Sequence, residues 1–416
     1  MAQPGHILLL NVYFAPHSYG GATVVAEAVA RELAAKGVRV TAVSTMQRPD
    51  MVPYSVMKVE SLGIENYLIN LPGGRRFAER YDNPNVAEIT GSLIDDLAPD
   101  LVHAHCLQEL GVGTLSAAKR RGLPLVLSVH DFWWLCEYQF MIRPNGRYCG
   151  QNPIRVENCA GCSDRMDRTR LRTAHLLDIA RAADLVTFPS RFARDLCTAS
   201  GFSEASSRVW ANGIRPPRPD FFERQSKRRA ADPRLAFGFL GGPSQIKGWP
   251  LIKTAFERVE RTDFRGLLVD ASLDGTWWNS IKIDTMKGDW QIHPRFSQDQ
   301  IDAFYAKIDV LLFPSQWKET FGLTIREAVS RGIRVIQTDS GGTTEWDGAA
   351  HDRMLPIGSG PDRLRVEIER ALATPADHPP PRPMPGYADQ AHAFLDLVAP
   401  VIATAPAASR SSLPAL

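Results

Sequence analysis

Short apolar segments alternate with helical ones along this chain in two successive series, and no other feature restricts the fold as much. In the first series, His6 to Val12 reads as a buried strand and Gly20-Gly21 as a tight loop. Ala22 to Lys36 reads as a helix with Val25, Val29 and Leu33 on one face, closed by Gly37 ahead of a strand over Val38 to Val43. Further apolar strands are expected at Leu101 to His105, Leu125 to Val129 and Leu185 to Phe188. Val209 to Pro219, rich in turn residues and proline, interrupts the alternation and reads as a linker. The second series has strands at Leu235 to Leu240, Gly266 to Asp270, Ile308 to Phe313 and Ile333 to Gln337.

Strands apolar on both faces, joined by helices, form parallel sheets covered on both sides. At 416 residues the chain exceeds what one core supports. The expected fold is therefore α/β: two doubly wound, Rossmann-like domains facing each other across a cleft, with ligands at the carboxyl ends of the strands. The expected boundaries are 1–212, with a cysteine-containing insertion at about 133–170, and 213–385. A final helix is expected over 386–403, after a proline-rich stretch, and a disordered tail over 404–416.

Composition narrows the function classes. Apolar residues make up 44% of the chain, charged ones 23%, and the net charge of +2 argues neither for nor against a nucleic-acid partner; none is expected. No segment reaches the ~18 consecutive apolar residues of a membrane span. The run from Ile7 is interrupted by Asn11 and lacks a basic leader, so it is read as a strand and not a signal peptide. The expectation is a cytoplasmic protein. Basic clusters at Arg75-Arg76, Lys119-Arg120-Arg121 and Arg165, Arg168, Arg170 and Arg172 offer a peripheral contact with the inner face of a membrane.

The densest chemical signal is Glu319-Thr-Phe-Gly-Leu-Thr-Ile-Arg-Glu327, preceded by Phe313-Pro-Ser. One carboxylate sits in a loop and the other in a helix, on either side of a helix N-terminus whose unpaired N–H groups suit a phosphate. A nucleotide sugar has that layout of sugar, diphosphate and ribose. The plainer reading is a Thr324–Glu327 capping box with Glu319 a solvated acid. Gly241-Gly242-Pro-Ser-Gln-Ile-Lys247-Gly248 also follows a strand and precedes a helix, placing a point charge where diphosphate would lie. It lacks the frame of a Walker loop, and Gly20-Gly21 lacks the spacing of a dinucleotide fingerprint. Of the strand-end histidines, His103 and His105 read as structural, and His130, beside Asp131, as the one that meets a sugar.

Cys136, Cys149, Cys159 and Cys162 fall within the insertion. In a cytoplasmic protein they read either as a tetrahedral structural zinc site, with no catalytic role, or as unrelated thiols. Trp133, Trp134 and Tyr138 adjoin them as packing residues or as platforms for an acceptor sugar.

Taken together these segments resemble the family-four retaining glycosyltransferases, nucleotide-sugar-dependent enzymes of the two-Rossmann-domain B-type fold. The resemblance rests on Gly20-Gly21, Pro99 to His105, His130-Asp131, Asn212-Gly213-Ile214, Lys247-Gly248, Phe313-Pro-Ser315, Glu319 to Gly322 with Glu327-Ala328, and Gly341-Gly342, in the family's order. It implies transfer of a hexose from a nucleoside-diphosphate sugar to a hydroxyl of a saccharide or lipid-linked acceptor, in polysaccharide or cell-envelope glycan synthesis. It implies that Glu319 grips the donor sugar, that Phe321, Gly322 and Leu323 offer N–H groups to the diphosphate, and that Glu327 holds the ribose. Lys247 would neutralise the leaving phosphate, His130 would contact the transferred sugar, and Gly20 and Gly21 would approach the diphosphate from the first domain. No cofactor or catalytic metal is implied. The last helix would cross back onto the first domain. Two positions depart from the family: Gly242 replaces an arginine, and Arg334 replaces a frequent proline at a strand start where little chemical consequence is expected. A nucleotide-sugar epimerase, or a non-catalytic transferase relative serving as partner or sugar sensor, would share much of this pattern.

Overall fold

A computed structural model describes residues 3–272, 274–349 and 351–404. Its described residues form two compact units, one of 3–139, 151–213 and 387–404, the other of 140–150 and 214–386. Residues 405–416, most of the expected tail, lie outside the described residues. The chain passes from the first unit to the second between Gly213 and Ile214. The segment 140–150, by contrast, leaves the expected insertion and belongs to the second unit.

In the first unit the order is β1 (His6–Leu10), α1 (Gly21–Ala35), β2 (Arg39–Met46), β3 (Val56–Ser61), β4 (Ile64–Asn70), α2 (Pro84–Leu97), β5 (Leu101–Ala104), α3 (Gly113–Arg120), β6 (Leu125–Ser128), α4 (Met166–Arg181), β7 (Leu185–Phe188), α5 (Arg191–Ala199) and β8 (Ser207–Val209). They make one sheet in the order β3-β4-β2-β1-β5-β6-β7-β8, parallel except for the antiparallel β3–β4 pair. β1, β5, β6 and β7 are buried at every position, as strands covered on both faces must be. β3 alternates exposed and half-buried residues. That pattern suits a solvated edge, and its weak hydrophobic signal explains why the sequence does not announce it. β8 ends at Val209, the first residue of the segment expected to be a linker.

The second unit runs α6 (Phe221–Ala231), β9 (Ala236–Phe239), α7 (Trp249–Arg258), β10 (Arg265–Val269), β11 (Asp289–His293), α8 (Ile301–Tyr305), β12 (Val310–Phe313), α9 (Leu323–Val329), β13 (Arg334–Gln337) and α10 (Pro361–Ala373). Its parallel sheet has the order β11-β10-β9-β12-β13. One face is packed by Phe237, Trp249, Phe256, Phe264 and Leu364, the other by Phe221, Phe304, Tyr305, Ile325 and Ile333. The chain then returns to the first unit as α11 (Tyr387–Thr404), which packs on α1. Trp210 Nε1 donates to the carbonyl of Gln390 in α11 at 2.9 Å, and the ring of His103 stacks on Phe394 at 4.4 Å. His103 thereby serves packing.

No helix among the described residues is long and apolar enough to cross a membrane.

Each sheet reverses its winding once. In the first unit this happens between β1 and β5, in the second between β9 and β12. The strand-end loops diverge at such a point and leave a crevice for ligands.

Candidate functional site

At the reversal of the second sheet, the loop after β9 carries Lys247 and the loop after β12 carries Glu319. Lys247 Nζ donates to Glu319 Oε1 at 2.7 Å. Ser315 Oγ donates to the same oxygen at 2.8 Å. The Lys247 side chain is 33% exposed and that of Glu319 11%, so the pair is held firmly on the carboxylate side and open on the ammonium side. Nζ also lies 5.4 Å from the centroid of the Trp317 ring.

The backbone explains why these groups meet. Gln316 N–H donates to the carbonyl of Ile246 at 2.7 Å, joining the two loops. Gly248 has φ +83°, and a Cβ there would lie 2.1 Å from the carbonyl oxygen of Pro314. Any side chain would push the lysine loop off the Phe313-Pro-Ser turn, which is the physical content of the Lys-Gly pair. Glu319 is fixed in turn against the loop after β13. Its N–H donates to Ser340 O at 3.0 Å, and its carbonyl accepts from Gly342 N–H at 2.9 Å.

Gly242 stands where the resemblance expects arginine, and the structure gives the reason. Its φ is +64°, and a Cβ would meet the Trp277 ring at 2.6 Å. An aromatic side chain occupies the space that a longer residue at 242 would need.

α9 begins at Leu323 with Gly322 as its N-cap and no side-chain cap. The Thr324–Glu327 capping box is therefore absent, which removes the plainer reading of this motif. Phe321, Gly322 and Leu323 lead into the first turn, directly after the loop that carries Glu319. Their geometry is set by a residue that sequence reasoning passed over. Arg326 Nη1 donates to the carbonyls of Phe321 and Gly322, and Nη2 to those of Gly342 and Glu345 at 2.9 and 3.1 Å. Its guanidinium stacks 3.7 Å from the Phe321 ring centroid. Arg326 is 4% exposed, and burial lowers its pKa to about 10, which leaves it charged at neutral pH. It draws two loops together by their carbonyls. A single arginine one position before Glu327 gives no periodic signal of that role.

Glu327 lies deeper, 3% exposed, and its Oε2 accepts from Tyr305 Oη at 3.0 Å. Burial raises its pKa, against the pull of Arg331 and the Tyr305 hydrogen bond. Arg331 is fully buried and pairs with Asp302 at 2.6 Å, while its Nη1 donates to the Glu327 carbonyl at 3.0 Å. Glu319 and Lys247 thus meet in the loops, and Glu327 belongs to a buried network beneath them.

The segment 140–150 contributes to this same unit. It forms a hairpin with an Ile142–Tyr148 bridge, and the Phe140 ring meets the Trp317 ring edge-on at 5.0 Å. The sequence gives Phe140 no distinguishing mark.

At the reversal of the first sheet the chemistry differs. His105 Nδ1 and His130 Nε2 share a hydrogen bond of 2.8 Å, and His103 Nε2 is bonded to Ser128 Oγ at 2.8 Å. Burial lowers the His103 pKa to about 3 and that of His130 to about 4, and holds His105 well below its ordinary value. All three are neutral at physiological pH. His130 is therefore a neutral hydrogen-bonding group at that pH and not a cation. Asp131 beside it accepts from Trp133 N–H at 2.8 Å and from Gln139 Nε2 at 2.7 Å, which makes it a loop anchor. Gly20, with φ +85°, is the N-cap of α1, and Gly21 is its first residue. Both are exposed.

Among the described residues, no group of three or more His, Cys, Asp or Glu side chains is placed to hold a metal ion. Cys149 belongs to the second unit, and Cys136, Cys159 and Cys162 to the first. Trp133 and Trp134 are buried, 7% and 3% exposed, and pack edge-on at 5.4 Å. They are core residues. Tyr138 is exposed and donates to the Cys162 carbonyl at 2.8 Å.

Comparison with known proteins agrees with this geometry. Residues 19–218 match the model of Glycosyltransferase Family 4, and residues 223–378 that of Glycosyl transferases group 1. The chain is 22% identical over 369 residues to an uncharacterized 42.6 kDa protein in the cps region of Klebsiella pneumoniae, covering 84% of this chain and 88% of that protein. It is 25% identical over 410 residues to D-inositol 3-phosphate glycosyltransferase of Nocardiopsis dassonvillei, covering 90% and 88%. Among solved structures, Anabaena HepE in complex with UDP-glucose superposes with a TM-score of 0.61 at 16% identity, covering 96% of this chain and 97% of that one. That likeness shows the fold, the B-type arrangement of two Rossmann-like units.

Proposed function

From the premise that the chain belongs to the family-four glycosyltransferases, we propose that it moves a hexose from a nucleoside-diphosphate sugar to a hydroxyl of a saccharide or lipid-linked acceptor, with retention of configuration. The observation that carries this reading is the Lys247–Glu319 pair at the sheet reversal, 2.7 Å apart and open on the lysine side.

A donor entering there meets complementary groups. Glu319 accepts hydroxyl protons of the sugar, while Lys247 turns from the carboxylate to the diphosphate. The amides of Phe321, Gly322 and Leu323, held in place by Arg326, face the phosphate oxygens, and Glu327, held by Tyr305, takes the ribose. In the transfer step the bond from the anomeric carbon to the diphosphate oxygen breaks, and its electron pair leaves with the nucleoside diphosphate. Lys247 stabilises that growing negative charge, which is where fixed positive groups accelerate such a reaction most. The acceptor oxygen bonds to the anomeric carbon from the face the diphosphate leaves, and its proton passes to the departing phosphate oxygen. His130, neutral, hydrogen-bonds the transferred sugar, and Gly20 and Gly21 bring backbone towards the diphosphate. These residues supply every charge the step uses, with no cofactor. An acceptor in polysaccharide or cell-envelope glycan synthesis fits exposed members of the first unit's basic clusters, among them Arg76, Arg120, Arg165 and Arg170, whereas Arg172 is buried.

The test is a melting panel of nucleoside diphosphates and their sugars on wild type and Glu319→Ala. A ligand at 100 times its dissociation constant adds ~2.7 kcal/mol. A nucleotide-selective rise, with the sugar-dependent part lost in Glu319→Ala, identifies the donor base and supports the site. No rise with any nucleotide rejects it. Donor turnover that needs no acceptor and returns an isomerised nucleotide sugar would replace the transferase with an epimerase.

A further inference from the structure

The amino-terminal end of the second sheet, opposite the donor loops, carries a cationic cluster that glycosyl transfer does not use. Asp309 lies just before β12 and is 2% exposed. It accepts from Ala236 N–H at 3.0 Å, from Arg228 Nη1 and Nη2 at 3.0 and 2.6 Å, and from Arg229 Nε at 2.9 Å. Arg334, the first residue of β13, ties its N–H to the Asp309 carbonyl at 3.1 Å. Its Nη1 donates to the Thr374 carbonyl at 3.0 Å. The imidazole of His378 faces the same set and feels Arg229, Asp309, Arg334 and Arg228, while Arg334 feels Asp377, Asp309 and Arg229.

Four nitrogens of this cluster are buried without a hydrogen-bond partner among the described residues: Arg229 Nη2, Arg334 Nε and Nη2, and His378 Nδ1. Buried donors nearly always find an acceptor, so several orphans in one place point to a missing partner. Charge indicates its sign. Three guanidinium groups face only Asp309 and Asp377, and Asp309 is already shared between two of them. A water molecule would accept one or two of these bonds but would leave the excess positive charge. A phosphate presents several acceptor oxygens in the geometry a guanidinium fork prefers, and carries the compensating charge. The side chain of Arg229 is 25% exposed, and Arg334 and His378 are half-buried, so solvent reaches the side chains of the cluster while the four nitrogens themselves are covered and are uncovered only by rotation of those side chains.

We propose that Arg229, Arg334 and His378 form a second anion site, for phosphate or a small phosphate monoester, at the opposite end of β12 and β13 from the donor loops. Arg334 is the residue found where the family often has proline. The departure that looks inconsequential in the sequence supplies two of the three orphaned guanidinium donors. The strands link the sites directly: β12 runs from Asp309 to the Phe313-Pro-Ser turn, and β13 from Arg334 to the loop that holds Glu319. At four residues each they span about 13 Å.

The experiment is thermal melting of the full chain in millimolar inorganic phosphate, or glycerol 3-phosphate, against chloride of matched ionic strength. Wild type, Arg334→Gln, Arg229→Gln and Lys247→Ala are compared. The expected result is a rise of about 3 °C in wild type and Lys247→Ala, absent from whichever arginine variants fold. A larger rise with the monoester identifies a phosphorylated metabolite, and an equal one free phosphate. The proposal is overturned if wild type does not respond, if the response survives in the arginine variants, or if Lys247→Ala abolishes it, since phosphate would then be reading the donor site.

Discussion

Both units reverse their winding once, and the two reversals are furnished with opposite chemistry. Between β9 and β12 an ammonium and a carboxylate face each other, with the lysine one-third exposed. Beside the β1–β5 reversal the groups are imidazoles, His105 after β5 bonded to His130 after the neighbouring β6, and both are kept neutral by burial. Depth makes the difference. Near the surface a charged pair survives because solvent and a partner share the cost of the charge. In the interior the same cost falls on the protonated imidazole, and the group is neutral instead. One reversal is built to hold formal charge, the other to offer hydrogen bonds without it.

If this contrast is correct, replacing the charged groups should cost far more turnover than replacing the neutral ones. Glu319→Ala and Lys247→Ala are each expected to lower kcat/KM by about 10²–10³-fold. His130→Ala is expected to cost about tenfold, in line with one uncharged hydrogen bond. Steady-state kinetics on the three variants checks the order, and comparable losses at His130 and Lys247 would break the contrast.

Next in size is the clamp beneath the charged end. Arg326→Leu removes charged donors from four carbonyls and leaves them buried. A loss of about 3 kcal/mol is expected, seen as a fall of roughly 8 °C in melting temperature. Arg326→Lys keeps the charge but lacks the fork that reaches both loops. It should restore stability in part while leaving the donor KM raised. A lysine variant with wild-type KM would reduce Arg326 to a source of charge.

The neutral end is tested by acid. The histidine pKa values lie below the unfolded value of about 6.5, so the unfolded chain binds more protons between that value and about 4. Stability contributed by burying them neutral is therefore complete above pH ~7 and is lost as pH falls through that window. With His103 at about 3 and His130 at about 4, each removes about 2 kcal/mol near pH 5. Replacing His103 by Asn should flatten the pH dependence of unfolding by one proton's worth. An unchanged slope would show that His103 is not the group being titrated.

The sequence showed much of this architecture and little of its wiring. Strand and helix alternation was readable because buried parallel strands are continuous apolar runs. The expected strand over Leu185 to Phe188 matches β7, and most others shift by one or two residues. β3, β4, β8 and β11 escaped: β3, β8 and β11 are half-exposed or only three residues long and carry little hydrophobic signal, whereas β4, seven residues and largely buried, was passed over among the polar residues that interrupt it. Lys247, Glu319 and Glu327 stood out because charge beside glycine at a strand end is conspicuous. Arg326 and Phe140 did not, and Arg334 showed only as a departure of little expected consequence, because each acts through contacts with distant segments. Arg326 reaches the 342–345 loop, Arg334 the end of α10, and Phe140 leaves the segment that carries it to join the other unit. Local spacing encodes none of these contacts.

Phe140 supplies the smallest and most specific test. Its ring meets Trp317, whose own ring lies 5.4 Å from Lys247 Nζ. A cation over an indole face gains about 0.5–1 kcal/mol where solvent still reaches it. The ammonium is thereby biased towards one side of the loop before any ligand arrives. Trp317→Leu should then raise the donor KM about two- to fivefold with kcat nearly unchanged. Trp317→Phe should recover most of the loss, because it keeps an aromatic face. Phe140→Leu should behave as a weaker copy of Trp317→Leu, since it only supports the indole edge. An effect on kcat in place of KM would mean that the aromatic pair acts during transfer itself, and the charged end would then extend into the hairpin that the sequence assigns to the other unit.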